Sequence, residues 1–205
     1  MRHLVIAAIV LAISNSGDLA RADPPTDCTQ LKNLELTVSS CTEFINLGQA
    51  NDHDRAVAYF NRGTAFGMTG KIDRAIDDLN HAIEADPSWP PPYNNRARAF
   101  VGNGEPERAI PDYNKALELN PRDAMLHVNR ALAYLKLGDR DHALSDLQKG
   151  VELNPQDVFA VFNIGAIYEA KGDKERAAAE YREALVLAPG NQNILDSLKR
   201  IGAQP

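Results

Sequence analysis

Apolar, small and polar positions recur along most of this chain with a period of 34 residues, marked first by Pro87, Pro121, Pro155 and Pro189. Setting that proline as position 32, the units begin at Ala56, Pro90, Ala124 and Val158. Small residues hold position 8 (Gly63, Ala97, Ala131, Gly165), position 20 (Ala75, Ala109, Ala143, Ala177) and position 27 (Ala82, Ala116, Gly150, Ala184). Aromatic residues hold position 11 (Phe66, Phe100, Tyr134, Tyr168), and large ones hold position 24 (Leu79, Tyr113, Leu147, Tyr181). Glycine stands at position 15 in all four units: Gly70, Gly104, Gly138 and Gly172.

This pattern predicts two antiparallel helices per unit. Small residues let the helix backbones approach closely, and the large ones fill the remaining space. The glycine supplies the left-handed conformation that ends the first helix. An acidic residue at position 18 (Asp73, Glu107, Asp141, Glu175) meets the positive end of the second helix dipole. Proline then stops that helix, because the residue before it resists the helical region. One such hairpin cannot bury its own apolar face, whereas stacked neighbours can. Pro106 falls at a helix start, where proline is tolerated. Pro111 falls inside the same helix and is expected to cost it a hydrogen bond and to bend it.

Over residues 56 to 189 these positions closely resemble an array of tetratricopeptide repeats. The resemblance implies an all-α, right-handed solenoid of helix-turn-helix repeats, with about nine or ten helices and almost no strand. The expected organisation is a degenerate N-terminal half-repeat over 23–55, repeats over 56–89, 90–123, 124–157 and 158–189, and a C-terminal capping helix over 190–205. Ile194, Leu195, Leu198 and Ile201 form the apolar stripe of that last helix, with Asp196, Lys199 and Arg200 off it. Counting back one period places Cys28 at position 7 and Cys41 at position 20 of the degenerate unit, whose first helix is poorly supported.

The first 22 residues read differently. Arg2 and His3 precede an apolar run from Leu4 to Ile13, and a polar stretch ends in Ala20-Arg21-Ala22. That is the layout of a secretory signal peptide cut after Ala22. The run is too short for the roughly 20 residues that span a bilayer. A periplasmic or secreted chain, with no membrane insertion after cleavage, is the expectation. Removing Arg2, Arg21 and Asp18 would shift the net charge from −6 to −7. A mildly acidic chain with no clustered Lys/Arg segment lacks the electrostatic footprint of a nucleic-acid binder.

In an exported protein an even cysteine count favours a bridge, here Cys28 to Cys41. Two buried reduced thiols are the alternative. Catalytic machinery is not legible: no phosphate-binding loop, dinucleotide fingerprint or nucleophile elbow occurs, and the histidines lack metal-ligand spacing. Neither an enzyme, a cofactor nor a metal site is expected.

The resemblance instead implies recognition of another protein or peptide segment in a concave groove lined by the first helices. Its position 6 is Asn61, Asn95, Asn129 and Asn163, a ladder able to pair with a peptide backbone or to serve structure alone. Arg98 is the groove cation, and Val128, Leu132, Phe159 and Phe162 supply its apolar floor. A structural role in an envelope complex, with the groove empty, is the competing expectation. Arg62, Arg96 and Arg130 pair by repeat position with Asp78, Asp112 and Asp146, and are expected to hold the hairpins rather than to bind.

Overall fold

The computed structural model describes residues 24–48 and 50–205, so the segment expected to be a signal peptide lies outside the described residues. Among the described residues the chain is all helix, with no strand. The order is α1 (Thr26–Thr29), α2 (Leu34–Leu47), α3 (Asp52–Met68), α4 (Ile72–Ala85), α5 (Pro90–Gly102) and α6 (Pro106–Leu119). It continues with α7 (Ala124–Lys136), α8 (Arg140–Leu153), α9 (Val158–Ala170), α10 (Lys174–Leu187) and α11 (Gln192–Ile201). Each helix packs on its successor, which makes the solenoid that the resemblance implies. The eleven helices of the described part exceed the expected nine or ten because the weakly patterned first helix survives as α1, a single turn of 4 residues.

The turns follow from local chemistry. Gly70, Gly104, Gly138 and Gly172 have φ between 74° and 82°, the left-handed region that side chains with a Cβ disfavour. The next amide in each case donates back to the carbonyl of the position-11 aromatic, as Asp139 N–H does to Tyr134 at 2.9 Å. Asp139 and Asp173 then cap the second helices, accepting from His142 and Arg176 backbone N–H groups. α6 runs through Pro111, whose ring is exposed, so the missing hydrogen bond falls on the solvent side.

Within the hairpins, contact is closest where side chains are smallest. A Cβ added to Gly63 would lie 3.0 Å from the Asp78 Cβ, and one added to Gly165 would lie 2.7 Å from the Tyr181 ring. Tyr113, Tyr181, Leu79 and Leu147 fill the space beside these approaches and are fully buried. At the far end α11 buries Ile194, Leu198 and Ile201 against the last repeat, leaving Asp196, Lys199 and Arg200 outside that stripe.

A second device ties each hairpin together. Arg62, Arg96 and Arg130 make two-pronged hydrogen bonds of 2.6–2.8 Å to the buried carboxylates of Asp78, Asp112 and Asp146. The aspartate hydrogen bonds hold each guanidinium above its ordinary pKa, against the desolvation that would lower it. The third prong of each arginine reaches back into the preceding unit, to Thr42, Asn80 and Asn114 respectively. The rung therefore joins the two helices of a repeat and also one repeat to the last.

Repeat 4 breaks the series. Ile164 stands where the arginine would, buried to 3% exposure, while the carboxylate is kept as half-buried Glu180. Burial raises the Glu180 pKa, and the nearby Glu183 charge adds to the shift.

Two outcomes follow from the rungs. Arg96→Leu should lower the free energy of unfolding by about 3 kcal/mol, because Asp112 is left buried without its cation. Adding Asp112→Leu should recover most of that loss in denaturant titrations. Arg130→Leu should cost less, since His127 Nδ1 also lies 3.4 Å from Asp146. Equal costs, or no recovery in the double variant, would refute the rung. For Glu180, a pKa raised by folding means the fold is favoured while the group is protonated and loses stability as pH rises through the folded pKa. Glu180→Gln should therefore stabilise at neutral pH by less than about 1 kcal/mol, the group being partly solvated. That gain should vanish near about pH 3, below the ordinary glutamate range; the same gain at both pH values would contradict it.

Candidate functional site

The first helices of the repeats, α3, α5, α7 and α9, form one face of the stack, and α3 touches α5 as α5 touches α7. The groove expected from the repeat positions therefore has walls of first helices, with second helices behind them. Each predicted residue can be placed on this face by its exposure and partners.

The asparagines at position 6 do not share one environment. Asn61 is buried to 7% exposure. Asn95 donates to Thr64 Oγ1 at 3.0 Å and accepts from Asn94, while Asn129 donates to Asn94 Oδ1 at 3.0 Å. Asn163 donates instead to the Phe159 carbonyl of its own helix at 2.7 Å. Asn95 and Asn129 thus connect neighbouring first helices, and part of their polar capacity already serves the stack. Asn94 takes part in both links, a role that its position alone does not reveal.

The apolar floor also divides. Val128 is 6% exposed, and a Cβ added to Gly150 would lie 2.8 Å from its Cγ2. Position 5 in repeat 3 therefore fills the gap left at position 27 of the facing helix, and Val128 belongs to the hairpin core rather than to an open floor. Phe162 is half-buried and packs on Tyr181 with ring centroids 5.3 Å apart. Leu132 is half-buried. By contrast Phe159 and Met125, both at position 2, are 50% and 57% exposed. Glu169, at the C-terminal end of α9, is engaged by Arg200 of α11 at 2.6 and 2.9 Å and by the Tyr181 hydroxyl at 2.6 Å. The Arg200 guanidinium, helped by that hydroxyl, holds its carboxyl below the usual range. The closing helix thus takes this end of the groove for itself.

Arg98 lies at the opposite end, on α5, with no hydrogen bond or ion pair among the described residues. It borders a cavity of about 250 Å³ between α3 and α5, floored by Ile72, Ala75 and Leu79 of α4. Thr64, Gly67, Met68 and Gly102 also line it, and none of these four was singled out from the sequence. The available signal was a departure from the repeat: position 12 is Gly67 in the first unit, but Val101, Leu135 and Glu169 in the others.

The cysteines form a bridge between α1 and α2, with Cα atoms 4.8 Å apart and both residues fully buried. Thr37 Oγ1 donates to the Gln30 carbonyl beside it. The bridge pins the one-turn α1 over the otherwise open apolar end of α2, where Phe44 is also buried. Among the described residues there is no group of side chains suited to a metal ion, and no helix long and apolar enough to cross a membrane.

Comparison with known proteins agrees with this geometry. Models of the tetratricopeptide repeat match residues 56–88, 94–158 and 128–192. Among solved structures, MamA is 21% identical with a TM-score of 0.71, over 78% of this chain and 91% of that one. YrrB, a TPR protein with an unusual peptide-binding site, is 23% identical with a TM-score of 0.69, over 81% of this chain and 84% of that one. TTC0263, a thermophilic TPR protein in Thermus thermophilus, is 21% identical with a TM-score of 0.62, over 83% of this chain and 91% of that one. At these identities the likeness is one of fold. No curated protein matches the sequence.

Proposed function

This chain belongs to the tetratricopeptide repeat family, and from that premise we propose that it is a non-catalytic scaffold that binds an extended segment of another protein along its first-helix face. The observation that carries the proposal is the presence of Arg98, Met125 and Phe159 at the surface of three successive first helices. Large apolar side chains left exposed on neighbouring first helices fit a surface that contacts another chain. The partly engaged amides of Asn95 and Asn129, on two of the same helices, add hydrogen-bonding capacity for a peptide backbone. YrrB, described as having an unusual peptide-binding site, lends the same kind of use to a stack of this shape.

The expected setting is an exported compartment. The N-terminal layout of a signal peptide and the buried Cys28–Cys41 bridge both support it, since such bridges persist where the medium is oxidising.

Two measurements check these readings. On a peptide array, Phe159→Ser and Met125→Ser should each weaken retained sequences about ten-fold. Both residues are exposed, so stability should change by less than about 0.5 kcal/mol. A tight partner indifferent to both changes would place binding on another face. For export, the intact mass of the secreted protein should begin at Asp23 and rise on reduction by the hydrogens of one opened bridge. Retention of Met1 to Ala22, or a mass unmoved by reductant, would contradict that.

A further inference from the structure

The cavity between the first two repeats has a shape that neither the rungs nor the core requires. Gly67 and Gly102 form part of its walls, at positions 12 and 13, where repeat 3 carries Leu135 and Lys136. Gly67 is the penultimate residue of α3 and Gly102 the last of α5, and neither has a positive φ, so neither supplies the left-handed turn. Glycine there weakens each helix relative to alanine. A Cβ on Gly67 would meet only the Ala75 Cβ, at 3.8 Å, and one on Gly102 would meet nothing within 4 Å. The space is open because side chains are absent, not because packing forbids them.

Its surface is mostly apolar, with Ile72, Ala75 and Leu79 at the base. An apolar cavity of about 150 Å³ already admits a benzene ring, so about 250 Å³ accommodates one large side chain. At the rim stands Arg98, whose guanidinium has no hydrogen bond or ion pair among the described residues. A guanidinium at such an edge recognises a carboxylate through paired N–H donors. The chain carries a net charge of −6, which repels acidic runs and leaves one local cation to select a single acid.

We infer that this cavity is the anchoring subsite of the groove: it takes one large apolar side chain of the bound segment, with a carboxylate one or two residues away held by Arg98. This rests on the groove reading above and adds a sequence requirement to it.

The test uses the full chain, labelled for amide NMR, and short peptides blocked at both ends. The reference peptide carries leucine and aspartate separated by one alanine; the others replace leucine with alanine or aspartate with asparagine. The reference should shift the Gly67, Ala99 and Gly102 amides, and losing either side chain should weaken it about ten-fold. Arg98→Gln should weaken the aspartate peptide to the level of the asparagine peptide. Gly67→Leu should abolish binding by filling the cavity, with a melting temperature unchanged or higher because a helical glycine has been replaced. A fourth peptide ends one residue after leucine with a free carboxylate; tighter binding than the reference assigns the acid to a chain end, and weaker binding assigns it to a side chain. Unchanged binding to Gly67→Leu, or equal binding of the aspartate and asparagine peptides, overturns the subsite. If shifts then appear only on α7 and α9, the groove reading survives without it. If no first-helix amide moves with any peptide, both fall.

Discussion

Two helices can approach closely only where one of them offers little or no side chain, and the rest of this stack is arranged around where those positions fall. Gly63, Ala97, Ala131 and Gly165 hold the position of closest approach inside each hairpin, and at Gly63 and Gly165 the facing helix meets it with positions 23 and 24: Asp78 and Leu79, Glu180 and Tyr181. Once backbones are that near, only flat or slender groups fit beside them, which is why Tyr113 and Tyr181 or Leu79 and Leu147 occupy position 24. A larger residue at position 8 would have to push the facing helix away, and the rung geometry would be lost with it.

The rungs turn this close packing into a register. An apolar contact can slide by part of a turn at small cost, whereas a two-pronged bond of 2.6–2.8 Å to a buried carboxylate cannot. Because the third prong of Arg96 and Arg130 reaches Asn80 and Asn114 in the preceding repeat, the same side chain fixes the angle between units. The angle between units is thus tied by side chains that bridge first and second helices. In repeat 4, where Ile164 replaces the arginine, the Arg200–Glu169 pair from the closing helix supplies a tie of similar geometry on the other face.

Much of this is legible in the sequence alone. Five small, aromatic or glycine positions repeating at one period define hairpins, and matched Arg and Asp positions on facing helices define rungs. Less legible is anything that depends on distances between units. Val128 carries the letter of a groove residue, yet Gly150 opposite it leaves a gap that it fills from within the hairpin. The Asn95 and Asn129 amides look alike along the sequence, but their partners, Thr64 and Asn94, sit at different positions of the preceding first helix. The cavity beside Arg98 is hardest to read, because it consists of missing side chains at Gly67 and Gly102, and a volume is defined only when three helices are placed around it.

Partners that meet the first-helix face, as proposed, would be captured there by crosslinking. A photoreactive amino acid placed at Phe159 on that face, or at Val186 on α10, reports contact directly in the cell of origin, and both positions are at least half exposed. A protein adduct is expected from position 159, suppressed by excess unlabelled chain, and none from position 186. An adduct from Val186 with none from Phe159 would show that the outer helices carry the interaction and that the groove is not the site.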